Sequence, residues 1–422
     1  MTAAPPAFPV EQRRVRLAVR HHLAPGTAAQ TVHVVARDVV GLHGTDPASV
    51  ILAIRARLQH PTLRQIEREL YEERTVLRML GMRRTMFVEP VDLVPIVQAA
   101  CTNAIAKQQR TLTRTLLTRA GVAADVDAWL GEVEESTLVA LRARGEAFAG
   151  ELTADEPRLA TKVRLADGKA YLADANIVTR VLLTLAADGR IVRGRPRGSW
   201  ISGQYRWAPV ESWLPRGIPP MPVADAQREL VRAWLGRFGP GTAQDIKWWS
   251  GLSLGEVRRA LAACGAVEVS LDGVPGYVLA DDRDALPDPE PWIAMLPALD
   301  PTVMGWAERG WYLADHRAAL FDTNGNAGPT IWVDGRVVGG WGQHPTGPVV
   351  VRVLEDVGRE TAVRIEEEAD RLERWIGDIR VTPRFRTPLE KDIAVSLAPP
   401  AAGPGGERTV SATGSRGTRA RS

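Results

Sequence analysis

Seven consecutive residues, Gly41-Leu42-His43-Gly44-Thr45-Asp46-Pro47, gather an imidazole, a hydroxyl and a carboxylate. Together these groups can hold and polarise a water molecule: an ordinary imidazole accepts a proton near neutral pH, while the other two orient the water. The same residues carry a structural reading. Thr45-Asp46-Pro47 is a helix-start signature, a capping side chain followed by proline at the first helical position, with His43 packed or solvated beside it. Other chemistry is thinly represented. Gly251-Leu252-Ser253-Leu254-Gly255 matches the GxSxG pattern, but a nucleophile elbow needs a strand before its serine. The preceding AQDIKWW reads as helix, and Ser253 as the cap of the next one. No phosphate-binding loop or dinucleotide fingerprint occurs. The seven histidines form no metal pair, and His21-His22 is expected at a solvated helix end. Cys101 and Cys264 have no metal-ligand spacing and read as buried, reduced thiols. No metal and no cofactor is expected.

The elements around these residues follow from periodicity. Val32–Leu42 and Pro47–Leu58 have helical spacing, Thr62 caps a third helix expected to run to Leu80, and Met82–Val88 reads as a strand. Residues 91–150 are helical in pattern. Asp174–Asp188 reads as a helix leading into IVRGRPRGSWISGQYRWAP, a β-branched and aromatic hairpin. The clearest unit comes next. It comprises helices over Ala224–Phe238, Ala243–Trp249 and Leu254–Cys264, then strands Val267–Leu271 and Tyr277–Leu279 joined through Asp272-Gly273. This is the layout of a winged helix-turn-helix, and a helix–hairpin pattern recurs near residues 60–88, 174–208 and 253–280. Residues 284–397 turn β-like, with a hairpin at Asp334-Gly335 and one long charged helix, Arg359–Ile376. The expected fold is α+β, mainly α. Winged-helix domains are expected at 1–100, 101–222 and 223–283, a β-rich domain at 284–397, and a disordered tail at 398–422.

Net charge is only +3, but its placement is uneven, and 48 of the 53 cations are Arg. Between Arg158 and Arg216 there are eleven Lys/Arg against four Asp/Glu. Arg190, Arg193, Arg195 and Arg197 sit on the expected second wing with no acidic residue before Glu211. Such a hairpin is an electrostatic footprint for nucleic acid. Lys247, Arg258 and Arg259 lie on the second and third helices of the third unit, the latter being the element that enters a major groove. Arg83 and Arg84 fall on adjacent strand positions, so only one can face DNA. No apolar run approaches the ~18 residues of a membrane span, and the N-terminus lacks the apolar core of a secretory signal. The expectation is a cytoplasmic, nucleoid-associated monomer whose partner is duplex DNA.

Several segments carry a resemblance to a known family. Gly241-Thr242-Ala243-Gln244-Asp245-Ile246-Lys247-Trp248-Trp249-Ser250-Gly251-Leu252 is the most specific. Leu296–Asp300, Met304-Gly305-Trp306 with Arg309, Thr330–Trp341 and Pro383-Arg384-Phe385 add to it. Over residues 10–395 the chain resembles the AlkZ/YcaQ-like superfamily of winged-helix DNA-binding proteins, some of which are bacterial DNA glycosylases. The resemblance implies tandem winged helices forming a basic concavity for duplex DNA, and hydrolysis of the N-glycosidic bond of alkylated or adducted purines. The family's catalytic Gln-apolar-Gln or Gln-apolar-Asp triplet falls on Gly41–Pro47, where this chain has His43-Gly44-Thr45. On this reading His43 positions or deprotonates the water, Thr45 assists, and Asp46 supplies a carboxylate if the loop turns it inward. The alternative is a non-catalytic DNA-binding regulator or damage sensor on the same scaffold.

Overall fold

Three times along the chain the same order of elements recurs: a helix, one or two residues of extended backbone, two more helices, and a hairpin whose second strand pairs with that extended stretch. The computed structural model describes residues 5–164 and 174–396; the expected disordered tail lies outside the described residues. After an N-terminal helix α1 (Val10–Arg20), the first unit comprises α2 (Val32–Asp38), β1 (Leu42–His43), α3 (Pro47–Arg55), α4 (Leu63–Tyr71), β2 (Val76–Leu80) and β3 (Met86–Pro90). Strand β1 pairs antiparallel with β3, Leu42 opposite Val88 and His43 opposite Phe87. The helix expected to reach Leu80 ends at Tyr71. The apolar run Val76–Leu80 is buried throughout, which suits a strand with both faces covered.

A helical connection, α5 (Val94–Val97) and α6 (Asn103–Arg119), leads to the second unit: α7 (Val126–Arg144), α8 (Ala149–Asp155), β4 (Lys162–Arg164), β5 (Asp174–Asn176), α9 (Val178–Ala187), β6 (Ile191–Pro196) and β7 (Tyr205–Pro209). Here a single residue, Ala147, bridges to Trp207 of the last strand. The expected helix from Asp174 starts at Val178, because Asp174–Asn176 pair with Lys162–Arg164 instead. The third unit is α10 (Val223–Phe238), α11 (Ala243–Ser250), α12 (Leu254–Ala263), β8 (Ala266–Leu271) and β9 (Val274–Leu279), with Gly241 bridging to Tyr277. Thr242 and Ser253 each form a reciprocal capping box, with Asp245 and Glu256. Ser253 is therefore a cap, as its helical context predicts. The first two units share one sheet, ordered β1-β3-β2-β6-β7, joined where Arg78 of β2 faces Arg193 of β6. Each hairpin thus covers the other's open edge.

The last region holds an antiparallel sheet, β10 (Ile293–Leu296), β11 (Thr330–Val333), β12 (Arg336–Gln343) and β13 (Val349–Val353). Around it lie α13 (Gly310–Leu313), α14 (Arg317–Leu320), α15 (Arg359–Ile376) and α16 (Pro388–Val395). Helix α15 buries Ile365, Ala369, Leu372 and Ile376, one stripe at helical spacing. That stripe shares a core with Val35, Leu42 and Ile54 of the first unit, and with Ile331 and Trp341 of the sheet. A buried ion pair locks the same junction. Both Arg57 and Asp300 are fully buried; the guanidinium donates at 2.9 and 2.7 Å to the two carboxylate oxygens, and also to Thr302 Oγ1 and the Ala53 carbonyl.

Two expectations about polar residues fail here. His21 is not solvated: it is fully buried, with Nδ1 2.9 Å from Thr302 Oγ1 and its ring against Phe238. His22 pairs with Asp38 at 2.8 Å. Both cysteines are free thiols, Cys101 buried but Cys264 only half-buried.

Candidate active site and nucleic-acid interface

The Gly41–Pro47 loop is formed by β1 and the start of α3. Gly41 has φ +87°, and a Cβ there would overlap the Glu89 carboxyl, so the turn admits only glycine without strain. His43 is 9% exposed, its ring 5.6 Å from that of Phe87. Its Nδ1 is sealed from solvent without a hydrogen-bond partner. Burial, reinforced by the Arg83 guanidinium, pushes its pKa down to about 3. The expectation of a base titrating near neutrality is therefore corrected: His43 is a neutral imidazole at pH 7, a hydrogen-bonding group of low basicity.

Gly44 explains its own place in the loop. A side chain there would press on the Arg78 guanidinium at 2.9 Å and on the β3 backbone at 3.2–3.3 Å. With none, Arg78 donates a hydrogen bond to the Gly44 carbonyl. Thr45 is half-buried, and its carbonyl accepts from the Arg384 guanidinium at 3.5 Å. Asp46 caps α3, accepting from the Ala48 N–H at 3.1 Å through one oxygen and from the Arg384 N–H at 3.2 Å through the other. Burial raises its pKa, opposed by those bonds. Its carboxylate thus ties the loop to Pro383-Arg384-Phe385, and it lines a cavity of only 10 Å³ between α3 and the C-terminal sheet.

Four arginines converge on this loop. Arg78 and Arg384 bond to it directly, Arg83 acts electrostatically on His43, and Arg193 lies near Arg78 and Arg384, burial first and those cations next lowering its pKa to about 10. None of the four forms an ion pair among the described residues, although 19 of the other described arginines do. Clustered cations without an ion-pair partner repel one another, and a polyanion would relieve that repulsion.

The expected contact residues divide. Arg83 and Arg84 are not on a strand. They form a turn between β2 and β3 with φ of +52° and +58°, and both are exposed. The alternation that was to separate them therefore does not apply. Arg83 stacks on Trp248 of α11 at 4.1 Å. A bulge between Arg193 and Pro196 sends Arg195 across to the first unit, where it pairs with Glu67 and Glu72 and covers Tyr71. Arg190 pairs with Glu135. Both are paired with carboxylates, whereas Arg193 and Arg197 form no ion pair among the described residues and lie over aromatic rings. Lys247, Arg258 and Arg259 are exposed on α11 and α12. Trp200 is buried and meets Trp375 edge to face at 6.2 Å, a packing role.

The sequence reading passed over Arg78 and Glu89. Each is a lone charge in an apolar strand, in VLRML and MFVEP, and that was the available signal. Glu89 is fully buried with both oxygens unpartnered. Burial, then repulsion from Asp92, pushes its pKa up to about 8. Among the described residues no helix is long and apolar enough to cross a membrane, and no cluster of His, Cys, Asp and Glu has the makings of a metal site.

Comparison with known proteins gives three agreements. The family model for "DNA glycosylase AlkZ-like" proteins matches residues 36–375. An interstrand DNA cross-link repair glycosylase of Streptomyces sahachiroi is 27% identical over 214 residues, which is 49% of this chain and 57% of that relative, so the match spans little more than half of its length. The solved structure of the S. sahachiroi DNA glycosylase AlkZ superposes with a TM-score of 0.67 at 20% identity, over 91% of this chain and all of that one. At that identity the superposition speaks for the fold.

Proposed function

The chain belongs to the AlkZ-like DNA glycosylase family, and from that premise we propose that it binds duplex DNA as a monomer through tandem winged helices and excises alkylated or adducted purines as a monofunctional glycosylase. The observation that carries the reading is the ring of Arg78, Arg83, Arg193 and Arg384, free of ion pairs among the described residues, around the His43–Asp46 loop. The recurrent helix–bridge–helix–helix–hairpin path supports the winged-helix part: in each unit the residues after the first helix (Leu42-His43, Ala147, Gly241) pair with the last strand.

The chemistry suits a weak base. An N7-alkylated purine departs as a neutral base from a cationic nucleoside, so the leaving group needs no acid. The sugar passes through an oxocarbenium-like state that oriented water captures readily. Neutral His43 accepts a hydrogen bond from that water, Thr45 orients it, and Asp46 holds the loop in place as cap and clamp. The loop contains no lysine, hence no amine to form an imine with the sugar. No cofactor is required.

The test is an abasic-site assay. Duplexes carrying N7-alkylguanine, N3-alkyladenine or a bulky purine adduct are treated with protein and then alkali. Strand breaks from the native chain, lost in His43→Ala while duplex binding remains, are expected. A second reading, a damage sensor without hydrolysis, is favoured by the engagement of both Asp46 oxygens and the sealed Nδ1 of His43. Salt-sensitive binding with no breaks on any lesion would select it.

A further inference from the structure

The turn that leads into the Gly41–Pro47 loop is strained, and it stands on a buried acid. Val40 and Gly41 both have positive φ, +47° and +87°. A β-branched residue rarely adopts that conformation, which persists only where its surroundings enforce it. On one side of the turn the Gly41 N–H closes α2 on the Ala36 carbonyl at 2.8 Å, and on the other Leu42 and His43 pair with β3. Glu89 lies directly behind: a Cβ on Gly41 would sit 2.2–2.7 Å from its carboxyl atoms. Both of its oxygens are sealed and without a hydrogen-bond partner. Glu89 and Phe87 are two residues apart on β3 and share one face of it, and His43 stands opposite Phe87.

The groups around the carboxyl offer an anion no relief. Asp92, just after β3, is itself acidic and is held by His33 and Arg37 of α2 at 3.3 and 3.7 Å. Asp38, which ends α2, pairs with His22 and Arg237 at 2.8 and 2.7 Å. Burial first and Glu89 next push the Cys101 thiol up to about 12. Across the ladder Glu89 faces the buried, apolar Leu77 of β2. A carboxylate without a donor is unfavourable in such a site, in accord with the raised pKa of Glu89. Ionisation therefore demands water, and the wall in contact with the carboxyl is the Gly41 turn.

We propose that Glu89 is a positioning residue for the Gly41–Pro47 loop, which keeps His43, Thr45 and Asp46 in their present arrangement only while that carboxyl is protonated. When it ionises, the strained turn swings off and water reaches the carboxylate. The consequence for excision rests on the proposed function; the movement of the loop does not.

Amide hydrogen exchange of the full chain at pH 7, 8 and 9, corrected for the intrinsic amide rates, tests the movement. Protection of residues 40–46 is expected to fall about tenfold from pH 7 to pH 9, the ratio set by a midpoint near 8, while α10 keeps its protection. A merely structural role would lower both together. In Glu89→Gln, whose amide cannot ionise, protection of 40–46 should not change with pH. Single-turnover excision should fall from pH 7 to pH 9 in the native chain and hold in Glu89→Gln. Native loop protection that is constant with pH, that falls together with α10, or that falls equally in Glu89→Gln overturns the proposal. The first two results need only the native chain, so the test survives a variant that does not fold. A loop that responds as expected without excision at any pH supports the role of Glu89 and refutes the glycosylase reading instead.

Discussion

Glu89 lies behind the Gly41 turn with its carboxyl sealed from water and unpartnered, and replacing it with glutamine gives a quantitative test of that environment. Its pKa of about 8 in the folded chain compares with roughly 4.3 for an unfolded glutamate. Between those values the folded state holds a proton that the unfolded state has released, so raising the pH favours unfolding. Each pH unit in that window costs about 1.4 kcal/mol. From pH 6 to pH 8 the contribution of Glu89 therefore falls by roughly 2–3 kcal/mol, and it levels off above pH 8 once the folded carboxyl ionises. Glu89→Gln keeps the shape and cannot ionise. It introduces a buried amide without partners, a constant cost of about 1–3 kcal/mol, but removes the slope. Urea midpoints at pH 6, 7, 8 and 9 measure both. The native chain should lose stability relative to the variant as pH rises, with the curves converging or crossing by pH 8. Parallel curves would refute the reasoning, because they would mean that Glu89 is already ionised or reached by water in the folded chain.

Four further outcomes are expected. Arg57→Met leaves Asp300 buried without its fork and should destabilise the chain by about 3–5 kcal/mol, read as a shift in urea midpoint; Asp300→Asn in the same background should restore part of the loss. Gly41→Ala forces a left-handed alanine against Glu89 and should cost at least about 1–3 kcal/mol, with thermal melting as the check. Arg193→Ala with Arg197→Ala should reduce the slope of log affinity against log salt by up to about 2, at roughly 0.9 per phosphate contact; an unchanged slope would remove the second hairpin from the interface. The excision rate should show no inflection from His43 between pH 5 and 9, since an imidazole titrating near 3 is neutral throughout; a His43-dependent inflection near pH 6–7 would show an exposed ring.

What the chain determines locally was readable in its residues. Thr242 and Ser253 announce helix starts because a capping oxygen followed by an acid three residues later satisfies the first amides. The Asp272-Gly273 and Asp334-Gly335 turns place their hairpins because those residues tolerate positive φ, here +50° and +85° and +46° and +83°. The long stripe of Arg359–Ile376 follows from spacing alone. The Gly41–Pro47 cluster was legible as three functional groups at a helix junction, and Asp46 as a capping side chain.

Tertiary structure decided the rest, because burial and long-range partners are not local properties. The helix starting at Thr62 stops at Tyr71, and the apolar residues beyond it, Val76–Leu80, are drawn into a sheet with strands from both sides. Four arginines on one hairpin looked equivalent; a single bulge sent Arg195 to Glu67 and Glu72 and left Arg193 facing the rings. His43 would titrate near neutrality in water, and only its enclosure beside Phe87 and Arg83 takes it to about 3. Asp46 meets Arg384, 338 residues away in the chain, and Arg57 meets Asp300 across 243. Spacing along the backbone carries no record of such pairs; they form because the folded core leaves each buried charge or cap one place to be satisfied.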